Sequence, residues 1–415
     1  MSTSTMSRRT AVLVFVAFAA AYFLSALIRA ITATLSPALT HEFVLSAGDL
    51  GLLAGGYFLG FAATQLPLGS WLDQYGPKKV VLSLLTAAVA GCAAFAMAIS
   101  FNGLLLARVL SGIGVSACLM APLTGYRRWY AAASQMRANS WMLMTGSLGM
   151  LASTLPVQWL MPLIGWRPLF WGLAALVLLA MALIAWQVPD WPAAAHAPTD
   201  KTPASSAQAS YAEVWRHPFF RKMAPMGFFI YGGLVAMQTL WVTPWLIRVS
   251  GWTDLEAANG MFWLNMAMLL TFLCWGLLNP WLARRGYGAE QLITYGMPLS
   301  FTLLALLIVA GSEGTYWAGA AWALYCMACS FVALAQPAVA MAFPSTLAGR
   351  ALSAYNLLIF SGVFVVQWGV GLIIDALKAL DYPEVQAFQY AMGIYLLCTL
   401  GSYVYFLTAK SHNHT

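Results

Sequence analysis

Apolar runs of about twenty residues recur along the whole chain, each long enough to cross the roughly 30 Å of a bilayer's hydrocarbon as a helix. No other feature narrows the possible folds so far. Charged residues make up 8% of the 415 residues, against about 25% in a soluble domain. A water-facing surface cannot be built from so few charges, so the solvent is lipid.

The expected spans begin near Ala11, Ser46, Lys79, Gly103, Ala138, Pro168, Met223, Glu256, Glu290, Thr315, Ala351 and Phe388. Six precede and six follow the longest polar stretch, Asp190 to Phe220, which is rich in Pro, Ala and Ser and has the composition of a linker. The reading is an all-α integral membrane protein of twelve transmembrane helices. It has an N-terminal tail (1–10), a six-helix bundle (11–188), a linker (189–220), a second six-helix bundle (221–409) and a C-terminal tail (410–415). The apolar run after Thr10 is too long for a signal core and is expected to be a retained anchor.

Basic residues orient the spans, because basic loops stay on the cytoplasmic side. One set of loops and tails carries Arg8, Arg9, Lys78, Lys79, Arg127, Arg128, Arg137, Lys201, Arg216, Arg221, Lys222, Arg284, Arg285, Arg350 and Lys410; the other carries only Arg167, Arg248 and Lys378. Both termini and the linker are therefore expected on the cytoplasmic side of the inner membrane. The net charge of +7 is dispersed over these loops, which argues against a nucleic-acid partner. The six cysteines lie within apolar runs and read as small buried hydrophobes. Cys326 and Cys329 have redox-motif spacing, but no βαβ pattern or histidine accompanies them, so no metal or cofactor is assigned.

Arg29 and Arg108 fall inside spans. An arginine at membrane depth is costly and is commonly kept for function, facing a cavity. Arg29 is expected to be the deeper of the two. Tyr22 and Ser25 precede it by seven and four residues, on one helix face, forming a polar strip. None of the 13 acids and none of the 5 histidines falls at mid-membrane, so a coupling proton would need an end-of-helix acid such as Asp49 or Asp375. Guanidinium cations without acids invite a carboxylate, nitrate or phosphate. A framework role for Arg108, bonding helix-end carbonyls, is the competing reading.

Further polar residues within spans are Tyr57, Gln65, Tyr231, Gln238, Asn265, Gln336, Asn356 and Gln367. Tyr231 and Gln238, seven apart, are expected to share a face. Trp241, Trp245 and Trp263 are candidates to stack on a substrate. The glycine pairs Gly51/Gly55 and Gly56/Gly60 suit close helix packing in lipid. The halves also echo one another: Trp71 to Gly76 is repeated loosely at Trp281 to Gly286, and Arg137-Ala138 at Arg350-Ala351.

Gly69, Asp73, Gly76, Lys78 and Lys79 stand in a G-x-x-x-D-x-x-G-x-K-K arrangement between the second and third spans. Arg108, Gly112 and Gly114 in the fourth span, and Gly165-Trp-Arg167 before the sixth, accompany it. In these three motifs the chain resembles the major facilitator superfamily along its whole length. The resemblance implies two pseudo-symmetric six-helix bundles, a path lined by helices one, four, seven and ten, and alternating access. It also implies a gate in which Asp73 meets the positive N-terminus of helix eleven, while Gly69 and Gly76 allow close approach and a tight turn. Helices seven and ten make Tyr231, Gln238 and Gln336 candidate path residues beside Tyr22, Ser25, Arg29 and Arg108. Arg29 followed by Pro37 is similar to the first helix of the anion:cation symporters in that superfamily, with Ile28 where many of them carry an aspartate.

The function expected is secondary transport of a small, organic anion, inward, by a monomer in the bilayer, with a proton as a possible coupling ion. Drug export and copper import are the alternatives; the first is favoured by an aromatic-rich, acid-poor interior, the second by 20 methionines. An enzyme is not expected, since no nucleophile, base or ligand cluster stands out.

Overall fold

The computed structural model describes residues 6–190 and 211–409. Most of the expected linker, including Lys201, the first five residues and the C-terminal tail with Lys410 lie outside the described residues. Among those described, every regular element is a helix. In chain order the helical spans are α1 (Arg8–Phe43), α2 (Ala47–Ala63, resumed as Gln65–Tyr75), α3 (Pro77–Met97), α4 (Phe101–Trp129), α5 (Ala132–Ala152, then Leu155–Ile164), α6 (Trp166–Gln187), α7 (Pro218–Arg248), α8 (Asp254–Arg284), α9 (Ala289–Ala310), α10 (Ala318–Met341), α11 (Ser345–Ala379) and α12 (Glu384–Thr408). Ten are long and apolar enough to cross a membrane; α5 is an eleventh with a 43° bend, and α2 has a first segment of 17 residues.

Large apolar side chains stand outward: Leu277, Val309 and Leu163 are 80%, 82% and 78% exposed. Such a surface is stable only against acyl chains, since water would reject it. Cys274 is on this exposed surface and Cys398 is partly exposed, so only Cys92, Cys118, Cys326 and Cys329 are buried as the sequence predicts.

In hydrocarbon a proline inside a helix leaves a carbonyl without its donor, and neighbouring hydroxyls make good the loss. Pro37 lies within α1, and Ser36 Oγ donates to the Ala33 carbonyl that the proline frees, at 2.7 Å. Pro298 does the same to Thr294 in α9, and Tyr403 Oη from α12 supplies the donor. Sharp reversals use glycine: Gly76 closes α2 and opens α3 at φ 80°, and Gly165 separates α5 from α6 at φ 73°. Both values are disfavoured for residues with a Cβ.

The chain forms two compact units, Met1–Ile31 with Leu59–Lys201 and Thr32–Phe58 with Thr202–Thr415. One boundary falls in the polar stretch that the sequence marks as a linker. The other falls inside α1 and α2, because the segment from Thr32 to Phe58 packs with α11. A Cβ on Gly51 would lie 2.2 Å from the Gln367 carbonyl oxygen, one on Gly55 2.9 Å from the Phe364 ring and one on Gly371 2.3 Å from the Ala47 carbonyl oxygen. The Asp375 carboxylate then accepts the backbone N–H groups of Ala47 and Gly48, at 3.0 and 2.7 Å. These are orphan donors at the positive end of α2, where a carboxylate is favoured.

Candidate functional site

In the first unit the polar strip on α1 is present. Tyr22 and Ser25 are buried and Arg29 is half-buried. The Tyr22 hydroxyl lies beside the Arg29 guanidinium, within reach of its charge. Arg29 Nε is buried with no hydrogen-bond partner among the described residues. A buried guanidinium N–H left unmet costs about 1–3 kcal/mol or more, so the group is poised for an acceptor.

Two glycines hold this strip against α5. A Cβ on Gly146 would come within 2.5 Å of the Tyr22 ring, and one on Gly149 within 2.3 Å of the Phe23 carbonyl oxygen. Neither residue carries chemistry of its own, so the pattern of polar residues on α1 does not reveal that α5 sets the position of Tyr22. Their spacing in Gly146-Ser-Leu-Gly149 is the only sequence signal.

Arg108 on α4 is where sequence order misleads about depth. It is 0% exposed and more enclosed than Arg29. Its Nη1 donates to the Ile28 carbonyl at 2.8 Å, and Nη2 lies 3.5 Å from the Arg29 carbonyl. Arg108 therefore braces the backbone of α1 beside Arg29, the contact expected of a framework role.

The second unit holds a separate amide-rich cluster. Gln238 on α7 donates to Asn265 of α8 at 3.0 Å, and Asn265 to the Met261 carbonyl at 2.9 Å. Gln336 on α10 donates to Asn356 of α11 at 2.7 Å. The Gln367 side chain of α11 donates to Thr239 Oγ1 at 3.0 Å, and its backbone carbonyl accepts Trp241 Nε1 at 3.2 Å. Asn265, Asn356 and Thr239 are the partners that complete the set; their pairing is tertiary and invisible to a single-helix pattern.

Tyr231 and Gln238, expected on one face, sit at the inner ends of two π-helical segments and have different neighbours. α7 is π-helical over Met226–Tyr231 and again over Met237–Trp241, and i→i+5 bonding winds more slowly than the 3.6-residue period assumed. Tyr231 lies near Tyr355 of α11 while Gln238 turns to α8. α10 is irregular at the matching place, with a 3₁₀ turn over Ser330–Leu334 just before Gln336. Such breaks cluster at functional sites. Trp241 and Trp245 are fully buried, whereas Trp263 is 61% exposed on the outward surface and is removed as a stacking candidate.

At the α2–α3 turn, Gly76 adopts the conformation that only glycine takes readily, while Gly69 has nothing within 4 Å of an added Cβ. Gly76 thus serves the turn, and among the described residues nothing approaches Gly69 closely. Asp73 and Lys79 are exposed. Lys78 is held by Asp190 at 2.9 Å beyond the end of α6. The hydrogen bond and charge of Lys78 hold the Asp190 carboxyl below the usual carboxylate range.

The sequence profile of the Major Facilitator Superfamily matches residues 18–366. Three curated relatives align. Inner membrane transport protein YajR of Escherichia coli is 32% identical over 146 residues, 34% of this chain and 31% of that one. The 4-hydroxybenzoate transporter PcaK of Acinetobacter baylyi is 24% identical over 315 residues, 66% and 68% of the two chains. The probable sulfoacetate transporter SauU of Cupriavidus necator is 27% identical over 250 residues, 55% and 56%. The aligned part thus spans about a third of the first relative and just over half of the third. Among solved structures, a bacterial homolog to the human lysosomal transporter Spinster superposes with a TM-score of 0.78 at 17% identity, covering 97% of this chain and 98% of that one. A D-xylose-proton symporter superposes with a TM-score of 0.75 at 13% identity, covering 97% and 98%. At these identities the likeness is one of fold.

Proposed function

The chain belongs to the Major Facilitator Superfamily and is a multi-pass membrane transporter, and from that premise we propose that it carries a small organic anion inward by alternating access. The observation that carries the reading is Arg29, a half-buried guanidinium with one N–H buried and unmet and the Tyr22 hydroxyl at its side. PcaK and SauU, whose names specify an aromatic and an aliphatic organic anion, support the same class.

In this reading Arg29 takes the carboxylate and Tyr22 and Ser25 orient it. Arg108 keeps the α1 backbone in place. Tyr231, Gln238 and Gln336 are further candidate path residues of the second unit, on helices interrupted by π-helical and 3₁₀ turns. The turn at Gly69, Asp73, Gly76, Lys78 and Lys79 is a gate at the cytoplasmic end. Both termini are cytoplasmic, the membrane is the inner one, the functional unit is a monomer and the two bundles are 11–188 and 221–409, with a proton as a coupling ion taken up by an end-of-helix acid.

The test is a thermal-shift screen of benzoate, 4-hydroxybenzoate, sulfoacetate, nitrate and phosphate against the wild type and Arg29→Ala. A ligand that binds the folded state raises its melting temperature. An anion that stabilises the wild type and not Arg29→Ala is expected. Equal stabilisation of both removes Arg29 from the site, and no stabilisation by any anion removes the substrate class.

A further inference from the structure

The second unit contains a cavity of about 280 Å³ between the last turns of α1, α7 and α11 and the first turns of α2 and α12. That is close to the lower end of the ~300–1,000 Å³ of small-molecule pockets. Its lining mixes the apolar Leu45, Leu50, Trp241, Ile374 and Phe388 with the polar Ser36, Thr40 and Ser46. Trp241 and Phe388 meet edge to face at 6.1 Å between ring centroids. Its charged lining is Arg248, Lys378 and Glu384.

In the topology proposed above, the outer side carries Arg167, Arg248 and Lys378 as its basic residues. Two of the three have structural work. Arg167 stacks on Trp166 at 4.1 Å and donates to the Ala98 carbonyl at 3.2 Å. Lys378 pairs with Glu384 at 3.7 Å. Among the described residues no hydrogen bond or ion pair engages Arg248, which is exposed at the end of α7. Membrane topology disfavours outer cations, and a framework role is not available to a side chain that touches no acceptor.

We propose that this cavity is a first recognition site, on the outer face, for a small monocarboxylate carried on an aromatic body. Arg248 presents its planar fork to the carboxylate, and Trp241 and Phe388 receive the ring. Glu384 pairs with Lys378, which leaves Arg248 as the cation offered to a carboxylate; a single guanidinium suits a monoanion and opposes a dianion. The Asp375 carboxylate, which caps α2 at this end, adds to that opposition. The site is distinct from Arg29 and rests on the anion-transport reading.

The test is uptake of radiolabelled benzoate into proteoliposomes over a range of external concentrations, with efflux from preloaded vesicles measured in parallel. Arg248→Gln is expected to raise the half-saturating external concentration about tenfold, the loss of one charge-assisted pair. Half-saturation from the opposite face should move less than twofold, and Arg248→Lys should recover part of the loss. Sulfoacetate, a dianion at neutral pH, should compete with external benzoate poorly. Equal external half-saturation in wild type and Arg248→Gln, or an equal shift at both faces, overturns the site while leaving anion transport standing. Absence of benzoate uptake by the wild type overturns this site; if sulfoacetate is still carried, the wider anion reading survives it.

Discussion

The Arg108 guanidinium donates to the carbonyl of Ile28 at 2.8 Å, so the buried arginine of α4 grips the backbone of α1 one residue before Arg29. Two arginines that look alike in the sequence thereby differ in their contacts, Arg108 bracing the α1 backbone and Arg29 standing beside Tyr22. Arg108→Met should destabilise the protein by about 1–3 kcal/mol, because the Ile28 carbonyl loses a charged donor in a buried place. Arg29→Ala should cost less stability and more binding. Thermal unfolding in detergent, with and without the anion, separates the two losses; equal destabilisation by both variants would contradict the division.

Gly146 sets Tyr22 without touching Arg29. Gly146→Ala places a methyl group within 2.5 Å of the Tyr22 ring, and the ring must shift. Anion affinity should fall severalfold, about 1 kcal/mol, although no hydrogen-bonding group has been removed. Gly172→Ala, where an added Cβ meets nothing within 4 Å, should change neither affinity nor melting temperature. Isothermal titration of the three proteins checks the comparison.

The helical architecture was legible because lipid imposes one rule on every span: the backbone must satisfy itself, and about twenty apolar residues do so as a helix. The signature turn was legible for the same kind of reason, since Gly76 needs a positive φ. The strip of Tyr22, Ser25 and Arg29 follows from helical periodicity. What the sequence did not reveal depends on the third dimension. Arg108 reads as a lone cation until Ile28 is seen beneath it. The π-helical turns of α7 that flank Tyr231 and Gln238 leave no mark in the spacing of the two residues. The division of α1 and α2 between two units rests on Gly51, Gly371 and Asp375, whose partners lie more than three hundred residues away.

The junction of α2 with α11 combines bare backbone contact with one carboxylate. Asp375→Asn keeps the size but removes the charge from the Ala47 and Gly48 amides, a cap worth about 1 kcal/mol. A cysteine at Leu50, which is buried at this junction, should then react faster with a membrane-impermeant maleimide. Gly51→Leu should produce a larger increase, because its side chain would overlap the Gln367 carbonyl. Unchanged labelling in both variants would show that the junction is held elsewhere.

The Lys78–Asp190 pair makes a prediction about acid. Asp190 has its carboxyl held below the ordinary range by Lys78. Any stability it contributes is present above the ordinary carboxylate pKa and is lost as the pH falls through the lowered value. Its side chain is 81% exposed, so screening by salt leaves the effect small. Lys78→Ala should melt within error of the wild type in 0.15 M salt at pH 7, and a loss of transport in that variant would then report on the gate and not on folding.

The central claim is that Arg29 binds the transported anion, and its most direct measurement is initial-rate uptake of radiolabelled 4-hydroxybenzoate and sulfoacetate by proteoliposomes carrying wild type, Arg29→Lys or Arg29→Ala at matched amounts of folded protein. Uptake of at least one anion by the wild type, a reduced rate with Arg29→Lys and near-background transport with Arg29→Ala is the predicted result. Undiminished uptake by Arg29→Ala would contradict it.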